Sequence, residues 1–496
     1  MKKFLGIGFT LVFLLAALIT PASATLTRIA GLGIDNWMVE SDDSQFMENP
    51  SLIIDNSNKL WMEWPGIAVT GVGGNATVLN NAWGGISKKC DLTGITGGLF
   101  VGRAYAGIIA QAGNFDPAGD DTVAMPATNH TATSLAAIAP TGKFDVVLAY
   151  PLKIADVGLT VTSASDIRED DNAPLTLPAV GANIPAGTNV MDEAFNSSDM
   201  GIIAGARKKG LGPLKCVELA VALNMLNVDN YDDLNTYVAS GGNTIEEDQT
   251  DSTFTLDNGM NLDISARIVK DHKDMTKILY VNYISQDVSN KMTFMNDANI
   301  DGDVTDAGDT DVTQNREQKN NSMTIGLAAN KAINEKTLMI CAISYNKVTN
   351  IVNIETTNNN NNAGGGPAGI YEGYNWERKT TMIPVNIAVE RELSGVFTSR
   401  LGLAKNIINK RTTEIDDPDY IVNNAGNGWA DLGSNTDTDT DDNVAAAAVT
   451  IGLCIKPLKD LVVDTLVRQQ LLFTGGFLAS GVPETLVAQI TATLKY

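Results

Sequence analysis

Apolar and polar residues alternate along many segments of this chain. In the last stretch, LVAQITATLKY (486–496), every second residue from Leu486 to Tyr496 is apolar, and those between are mostly polar. The same pattern occurs in KCVELAVALN (215–224), GMNLDISARI (259–268) and TMIPVNIAVE (381–390). A period of two predicts β-strands with one apolar and one polar face.

The length of these segments distinguishes two classes of β-protein. Many run for about ten residues, as transmembrane strands do, and about fourteen candidates can be counted. The pattern therefore predicts an all-β fold, a single transmembrane antiparallel β-barrel of about fourteen strands. A soluble β-sandwich also alternates, and the aromatic content of only 6% is low for a membrane barrel, so a soluble envelope protein remains an alternative.

Two kinds of connection separate the predicted strands. Residues 331–336 (KAINEK) and 392–395 (ELSG) are typical of hairpin turns. Long acidic and polar loops are predicted at 112–142, 164–199, 225–252, 287–321, 350–375 and 408–443. Short turns at one end and long loops at the other are typical of outer-membrane barrels.

The first residues predict export from the cytoplasm. Lys2 and Lys3 precede an apolar run, and Ala22-Ser23-Ala24 provides a small-residue cleavage site, so residues 1–24 are interpreted as a signal peptide. The remaining sequence has no apolar stretch long enough for a membrane helix. We assign residues 59–496 to the barrel and expect the cell outer membrane as its location.

The formal net charge of -23 argues against nucleic acid as a partner. Enzyme signatures are absent from the sequence: there is no G-x-S-x-G motif, and neither His130 nor His272 has a nucleophile at a recognisable spacing. We therefore expect no enzymatic activity.

One acidic stretch has the spacing of half a calcium loop. In DANIDGDVTDAGD (297–309), alternate oxygen ligands precede a glycine, as in an EF-hand, but Gly308 stands where the bidentate acid is required. Calcium and a merely solvated acidic loop are both open interpretations. The candidate calcium ligands are Asp297, Asn299, Asp301 and Asp303.

Charged residues also occur on the polar faces of the predicted strands. In a barrel such side chains line the lumen, where their charge tunes the selectivity for solutes. In a soluble protein they would form a hydrated face. The candidate lumen-lining residues are Glu218, Asp263, Arg267, Glu390, Arg400 and Lys495.

Three stretches together resemble a known family. DDSQFMENPSLI (42–53), GLCIKPLKDLVVD (452–464) and the C-terminal strand are similar to parts of the long-chain fatty acid transporter family of outer-membrane barrels. The resemblance implies that residues 25–58 plug the lumen. It also implies that Ile490, Leu494 and Tyr496 form the signal read by the barrel-assembly machinery. No fatty-acid-binding residue is matched.

These observations predict passive or facilitated passage of small solutes through an outer-membrane barrel in contact with lipid. Two alternatives remain open. One is a non-conducting surface barrel, and the other is a secreted envelope-layer β-protein; in both, acidic loops would bind calcium and partners.

Overall fold

The fold is known from a computed structural model. It describes residues 26–40, 42–64, 67–68, 77–78, 83–102, 143–171, 175–176, 187–240, 243–296, 310–358, 370–417, 422–423, 429–430, 435–441, 448–467 and 487–496. The signal peptide predicted for residues 1–24 and the candidate calcium ligands Asp297, Asn299, Asp301 and Asp303 lie outside this part of the chain.

Sixteen strands build the main sheet. The first eight are β1 (Lys59–Trp64), β2 (Trp83–Lys89), β3 (Thr96–Val101), β4 (Lys143–Pro151), β5 (Asp156–Asp171), β6 (Gly187–Leu211), β7 (Leu214–Ser240) and β8 (Asn243–His272). The other eight are β9 (Met275–Asn296), β10 (Thr310–Asn334), β11 (Thr337–Asn358), β12 (Ile370–Glu392), β13 (Phe397–Asp417), β14 (Ala448–Leu458), β15 (Leu461–Val467) and β16 (Val487–Lys495).

Six further strand pieces accompany them in the described chain. Leu175–Thr176 and Asn435–Asp441 extend the sheet at β6 and β13, and two small hairpins lie apart from it. The hairpins pair Ile67–Ala68 with Thr77–Val78 and Val422–Asn423 with Trp429–Ala430.

The sixteen strands close into one antiparallel barrel. Each pairs with its neighbours in sequence, and β16 returns to β1, with Lys495 opposite Lys59 and Ile490 opposite Trp64. The predicted all-β antiparallel barrel is confirmed, but the expected number of about fourteen strands is wrong. Short strands such as β2 (WGGISKK) contain little apolar alternation, so the sequence pattern does not reveal them.

The outer face of the barrel carries an exposed apolar belt. It lies beside the tight turns, such as the two-residue turn between β8 and β9. Ten strands, β4 to β13, each contribute at least one apolar side chain that is 41–54% exposed. One member from each strand is Leu148, Val161, Ile202, Leu219, Ile264, Val281, Ile325, Ile343, Ile387 and Leu401.

The height of this belt matches a lipid bilayer. On β10 the outward positions between Asn321 and Lys331 are all apolar. The ten residue steps that separate these two polar flanks advance about 34 Å along a strand, and a strand tilt of about 40° reduces this to about 26 Å, which is the upper limit of the apolar height. Apolar bands of about 25 Å are typical of transmembrane barrels.

Eight consecutive strands continue far beyond the belt. Strands β6 to β13 are 21 to 30 residues long, and their pairing is almost continuous. Several predicted long loops are therefore mostly strand; of residues 225–252, only 241–242 fall between β7 and β8. Beyond the apolar belt the strands do not keep one apolar face, so these ends lack the alternation on which the loop prediction relied.

The chain before β1 is helical. It contains helix α1 (Leu26–Leu32) and three short 3-10 helices, Asn36–Met38, Asp43–Met47 and Pro50–Asn56. Among the described residues, no helix has the length and apolar character needed to cross a membrane. Residues 26–58 are called the N-terminal segment below.

Candidate functional site

Side-chain caps fix the conformation of the N-terminal segment. Asp42 accepts a hydrogen bond from the backbone N–H of Ser44 at 3.0 Å, and the Gln45 side chain accepts one from the Asp42 N–H at 3.4 Å. Asn49 caps the next 3-10 helix by accepting from the Ser51 N–H at 3.2 Å. These caps satisfy backbone donors that a helix start otherwise leaves free.

An aromatic contact joins the N-terminal segment to one side of the barrel. Trp37 stacks on Tyr280 of β9, with ring centroids 5.1 Å apart and planes 4° apart. Trp37 also lies over Gly326 of β10, where an added Cβ would come within 2.2 Å of the indole ring. The absence of a side chain at position 326 therefore admits the tryptophan.

A second aromatic cluster joins the segment to the opposite side. Phe46 packs against Trp61 of β1 and Phe100 of β3, with centroid distances of 5.4 and 5.0 Å. Strands β1 and β9 are eight positions apart in a ring of sixteen and therefore face each other. The N-terminal segment thus lies inside the barrel and crosses its interior.

Arg267 of β8 is the first of three wall arginines that are linked to this segment, two of them directly and one through a wall carboxylate. Its guanidinium pairs with Glu218 of β7 at 3.0 Å and donates to the carbonyl oxygens of Trp37 at 3.2 Å, Glu40 at 3.0 Å and Val39. Arg267 is 5% exposed. A buried guanidinium needs several acceptors, and the segment backbone provides them.

Arg400 of β13 belongs to a chain of charged side chains. It donates to Asp464 at 2.6 Å and to Glu390 at 2.7 Å. Glu390 also accepts from Arg28 of helix α1 at 3.0 Å, and Arg28 pairs with Asp42 at 3.0 Å. Alternating charges therefore run from the wall into the N-terminal segment.

Arg207 of β6 is the third wall arginine. It pairs with Asp156 of β5 at 2.8 Å and with Asp55 of the segment. Lys209 also reaches Asp55, at 3.2 Å. The three arginines lie on β6, β8 and β13, so charged contacts hold the segment from well-separated parts of the wall.

A recess remains between the segment and the wall. Trp37, Glu48, Glu218, Arg267 and Tyr280 are among the residues that line it.

Glu48 faces this recess. Its carboxylate accepts a hydrogen bond from Asn36 at 3.0 Å, and its side chain is exposed to the interior of the barrel. The surrounding protein nevertheless withdraws it from bulk solvent, which raises its pKa to about 7, and the neighbouring carboxylates of Asp263 and Asp35 act in the same direction.

Comparison with known proteins gives matches only to solved structures. No family model and no curated protein matches the chain. The toluene transporter TodX of Pseudomonas putida is 10% identical, with a TM-score of 0.27, and the match covers 80% of this chain and 96% of that one. The toluene transporter TbuX of Ralstonia pickettii is 9% identical, with a TM-score of 0.31, and the match covers 94% of this chain and 96% of that one.

A larger barrel also matches. The ferric-catecholate import receptor Fiu of E. coli is 9% identical, with a TM-score of 0.33, over 88% of this chain and 74% of that one. TodX and TbuX belong to the barrel family that the sequence resembles. Because all these identities and TM-scores are low, the function proposed below rests on the residues of this chain alone.

The structure brings four of the predicted lumen residues into direct contacts. Glu218 pairs with Arg267, and Glu390 pairs with Arg400. Asp263 accepts a hydrogen bond from Asn282 of β9 on the same inner face, whereas Lys495 is exposed at the end of β16. Their effect on selectivity stays a prediction.

The proposed assembly signal lies on the strand that closes the barrel. Ile490 is 37% exposed and Leu494 is half-buried on β16. Tyr496 donates a hydrogen bond to the carbonyl of Ser87 at 2.9 Å, and Lys88 lies 5.2 Å from its ring centroid. Recognition by the assembly machinery remains a prediction.

Sequence reasoning missed several residues of the interior. Arg207 lies in the sequence ARKKG beside a turn, which looks like a solvated basic run. Arg28 and Asp464 have no partner at a recognisable spacing, because their contacts arise only when the barrel closes. Alternation alone could have placed Arg207 and Asp464 on the inner face.

Proposed function

We propose that this protein is an outer-membrane channel for small solutes, whose passage is controlled by the N-terminal segment. The apolar belt supports insertion in a membrane, because exposed apolar surface of this extent is costly in water and favourable in lipid. The tight turns would face the periplasm, and the long strands would extend from the cell surface.

The observation that carries this proposal is the attachment of one segment to the inner wall at three arginines, directly at Arg267 and Arg207 and through Glu390 at Arg400. The arginine contacts are polar, and the aromatic contacts of Trp37 and Phe46 accompany them. In the described part of the chain, no backbone pairing of the sixteen strands includes the segment, so its detachment would leave the closed sheet of the barrel intact. Detachment would open an interior lined by polar and charged groups, along which a hydrated solute can move.

A conductance measurement tests the proposal. The mature chain is folded in detergent and inserted into planar bilayers beside a released variant, Arg28→Gln/Trp37→Ala/Asp55→Asn. These substitutions remove segment-side partners and leave Arg207 and Arg400 paired with Asp156 and Asp464 on the wall. Asp274→Asn, in an exposed turn, is the matched control.

We expect larger or more frequent openings from the released variant than from the parent chain and the control. Heat-modifiable migration in gels verifies that each protein is a folded barrel. Equal conductance in all three would contradict control by the segment.

A non-conducting barrel is the second candidate, because the segment contacts opposite sides of the wall. In that case the interior stays filled and the surface extensions of β6 to β13 are the functional part. Silence from a heat-modifiable released variant would favour this function over a channel. A chain without heat-modifiable migration would favour the soluble envelope protein.

A further inference from the structure

Five side-chain amides form a line across adjacent strands of the barrel. In the strand register Asn224 lies opposite Asn261, Asn261 opposite Gln286, Gln286 opposite Asn320, and Asn320 opposite Asn350. Directly opposed residues have Cα atoms about 4.5–5.5 Å apart, so the line spans about 20 Å of the wall. These five residues are called the amide belt below.

The amide belt faces the lumen. Asn224, Asn261 and Gln286 each lie six residues along the strand from an inner-wall residue that contacts the N-terminal segment or its arginine partner, namely Glu218, Arg267 and Tyr280. Asn320 has the same spacing from Gly326, beneath Trp37. Residues an even number apart share a strand face.

Some polar atoms of the belt lack a partner within the described residues. Asn320 donates to Gln286 at 3.1 Å, which joins two members. The side-chain oxygens of Asn261 and Asn350 accept no hydrogen bond there, although Asn261 is only 7% exposed. Buried polar atoms are normally satisfied, so these oxygens are unpaired acceptors that a solute or water would satisfy once it reached them.

The surroundings of the belt are largely uncharged. Toward the long-strand end, Leu226, Val288 and Val352 lie on the same inner face, each no more than 5% exposed. Three charged residues border the belt on the inner face: Asp263 on β8, Asp199 opposite Leu226, and Arg378 opposite Asn350.

We propose that the amide belt binds neutral solutes rich in hydroxyl groups, such as sugars, on their way through the lumen; this inference rests on the proposed function. Each amide offers both a donor and an acceptor, as hydroxyl-rich solutes require. A charged solute finds no neutralising partner in the belt. A purely apolar solute leaves the amides unpaired, which a hydrogen-bonding site penalises strongly.

Proteoliposome swelling tests this selectivity. The released variant is reconstituted, and swelling is compared in glucose, gluconate and glucosamine, which have similar size and different charge. We expect glucose to enter about threefold to tenfold faster than either ion. This ratio of rates corresponds to the net free energy of one hydrogen bond.

A pair of substitutions ties the selectivity to the belt. In that background Asn261→Asp adds a negative charge at nearly constant shape and should shift the preference from glucose toward glucosamine by about the same factor. Asn315→Asp makes the same change on the outer face of β10, beyond the apolar belt, and should leave the preference unaltered. An equal response of the two variants would overturn the inference.

The two proposals fail differently. If the released variant conducts ions but all three solutes enter equally fast, only the sugar preference falls. If the folded released variant neither conducts nor swells in any solute, the channel function falls and the amide belt is a structural ladder that joins neighbouring strands.

Discussion

Arg267 shows how a single residue connects the wall to the N-terminal segment. It is almost fully buried, pairs with Glu218, and donates to three backbone carbonyls of the segment. A buried ion pair adds little net stability, because desolvation offsets attraction, but breaking it leaves an uncompensated charge. Its main effect is therefore to fix where the segment lies.

Because breaking the Glu218–Arg267 pair costs more than the pair itself contributes, single and double substitutions should differ. Arg267→Gln should lower the free energy of unfolding by about 3–5 kcal/mol, because Glu218 remains buried without its partner. The double variant Glu218→Gln/Arg267→Gln should recover part of that loss. Denaturant unfolding in detergent measures both, with the exposed Lys331→Gln as control; equal losses in the single and double variants would contradict the pairing argument.

The raised pKa of Glu48 predicts that docking of the N-terminal segment depends on pH. Its pKa is about 7 in the folded protein and 4.5 ordinarily, so the folded state binds more protons between these values. Docking of the segment is therefore strongest below about pH 4.5 and weakens as the pH rises through 7. Burial also raises the pKa of Asp35, so Asp35 likewise favours docking at low pH. The carboxylate of Asp263 repels ionised Glu48 and raises its pKa further, whereas the positive charge of Arg267 lowers it.

Limited proteolysis of the N-terminal segment measures this dependence. Cleavage should accelerate between about pH 5 and pH 8, and Glu48→Gln should flatten most of the change. Glu335→Gln, in an exposed turn, should behave like the parent chain. A pH profile unchanged by Glu48→Gln would assign the dependence to other groups.

Alternation identified the face on which single residues lie, but not their partners. Glu218 and Arg267 were placed on a polar strand face by a period of two, and the structure shows them buried there. Their mutual contact depends on the register between β7 and β8, which places them opposite each other. Register follows from turn geometry and packing across strands, and one strand read alone contains neither.

At the scale of elements, docking of the segment depends on small residues in the wall. Gly326→Ala places a Cβ within 2.2 Å of Trp37 and should weaken docking by about 1–3 kcal/mol through overpacking. Gly97→Ala is a matched control, because its Cβ would meet only an ordinary 3.7 Å contact with Leu148. Protease cleavage of the segment should accelerate in the first variant and not in the second.

The strands were predicted well within the apolar belt and poorly beyond it. In the belt, apolar outward side chains alternate with polar inward ones, so β8 and β12 could be recognised from sequence. In the long extensions both faces meet polar surroundings, and the sequence reads as loop although the backbone pairs almost continuously. The interior contacts of the N-terminal segment could not be derived, because they depend on residues from opposite sides of the closed barrel.

The whole molecule is asymmetric: the apolar belt lies beside the tight turns, and eight long strands project beyond it. This arrangement predicts where a charge is tolerated. Ile325 faces outward near the middle of the belt, so Ile325→Arg should reduce barrel stability in lipid by about 2–4 kcal/mol. Asn315→Arg, on the outer face of the same strand but beyond the belt, should cost close to nothing.

Folding titrations in lipid vesicles and in detergent micelles measure the difference. The penalty of Ile325→Arg should exceed that of Asn315→Arg in vesicles, because only the bilayer fixes a hydrocarbon layer at the depth of residue 325. It should shrink in micelles, which deform around a charge. Similar penalties for both residues in vesicles would mean that the belt does not lie in the membrane, and with that result the channel function would lose its physical basis.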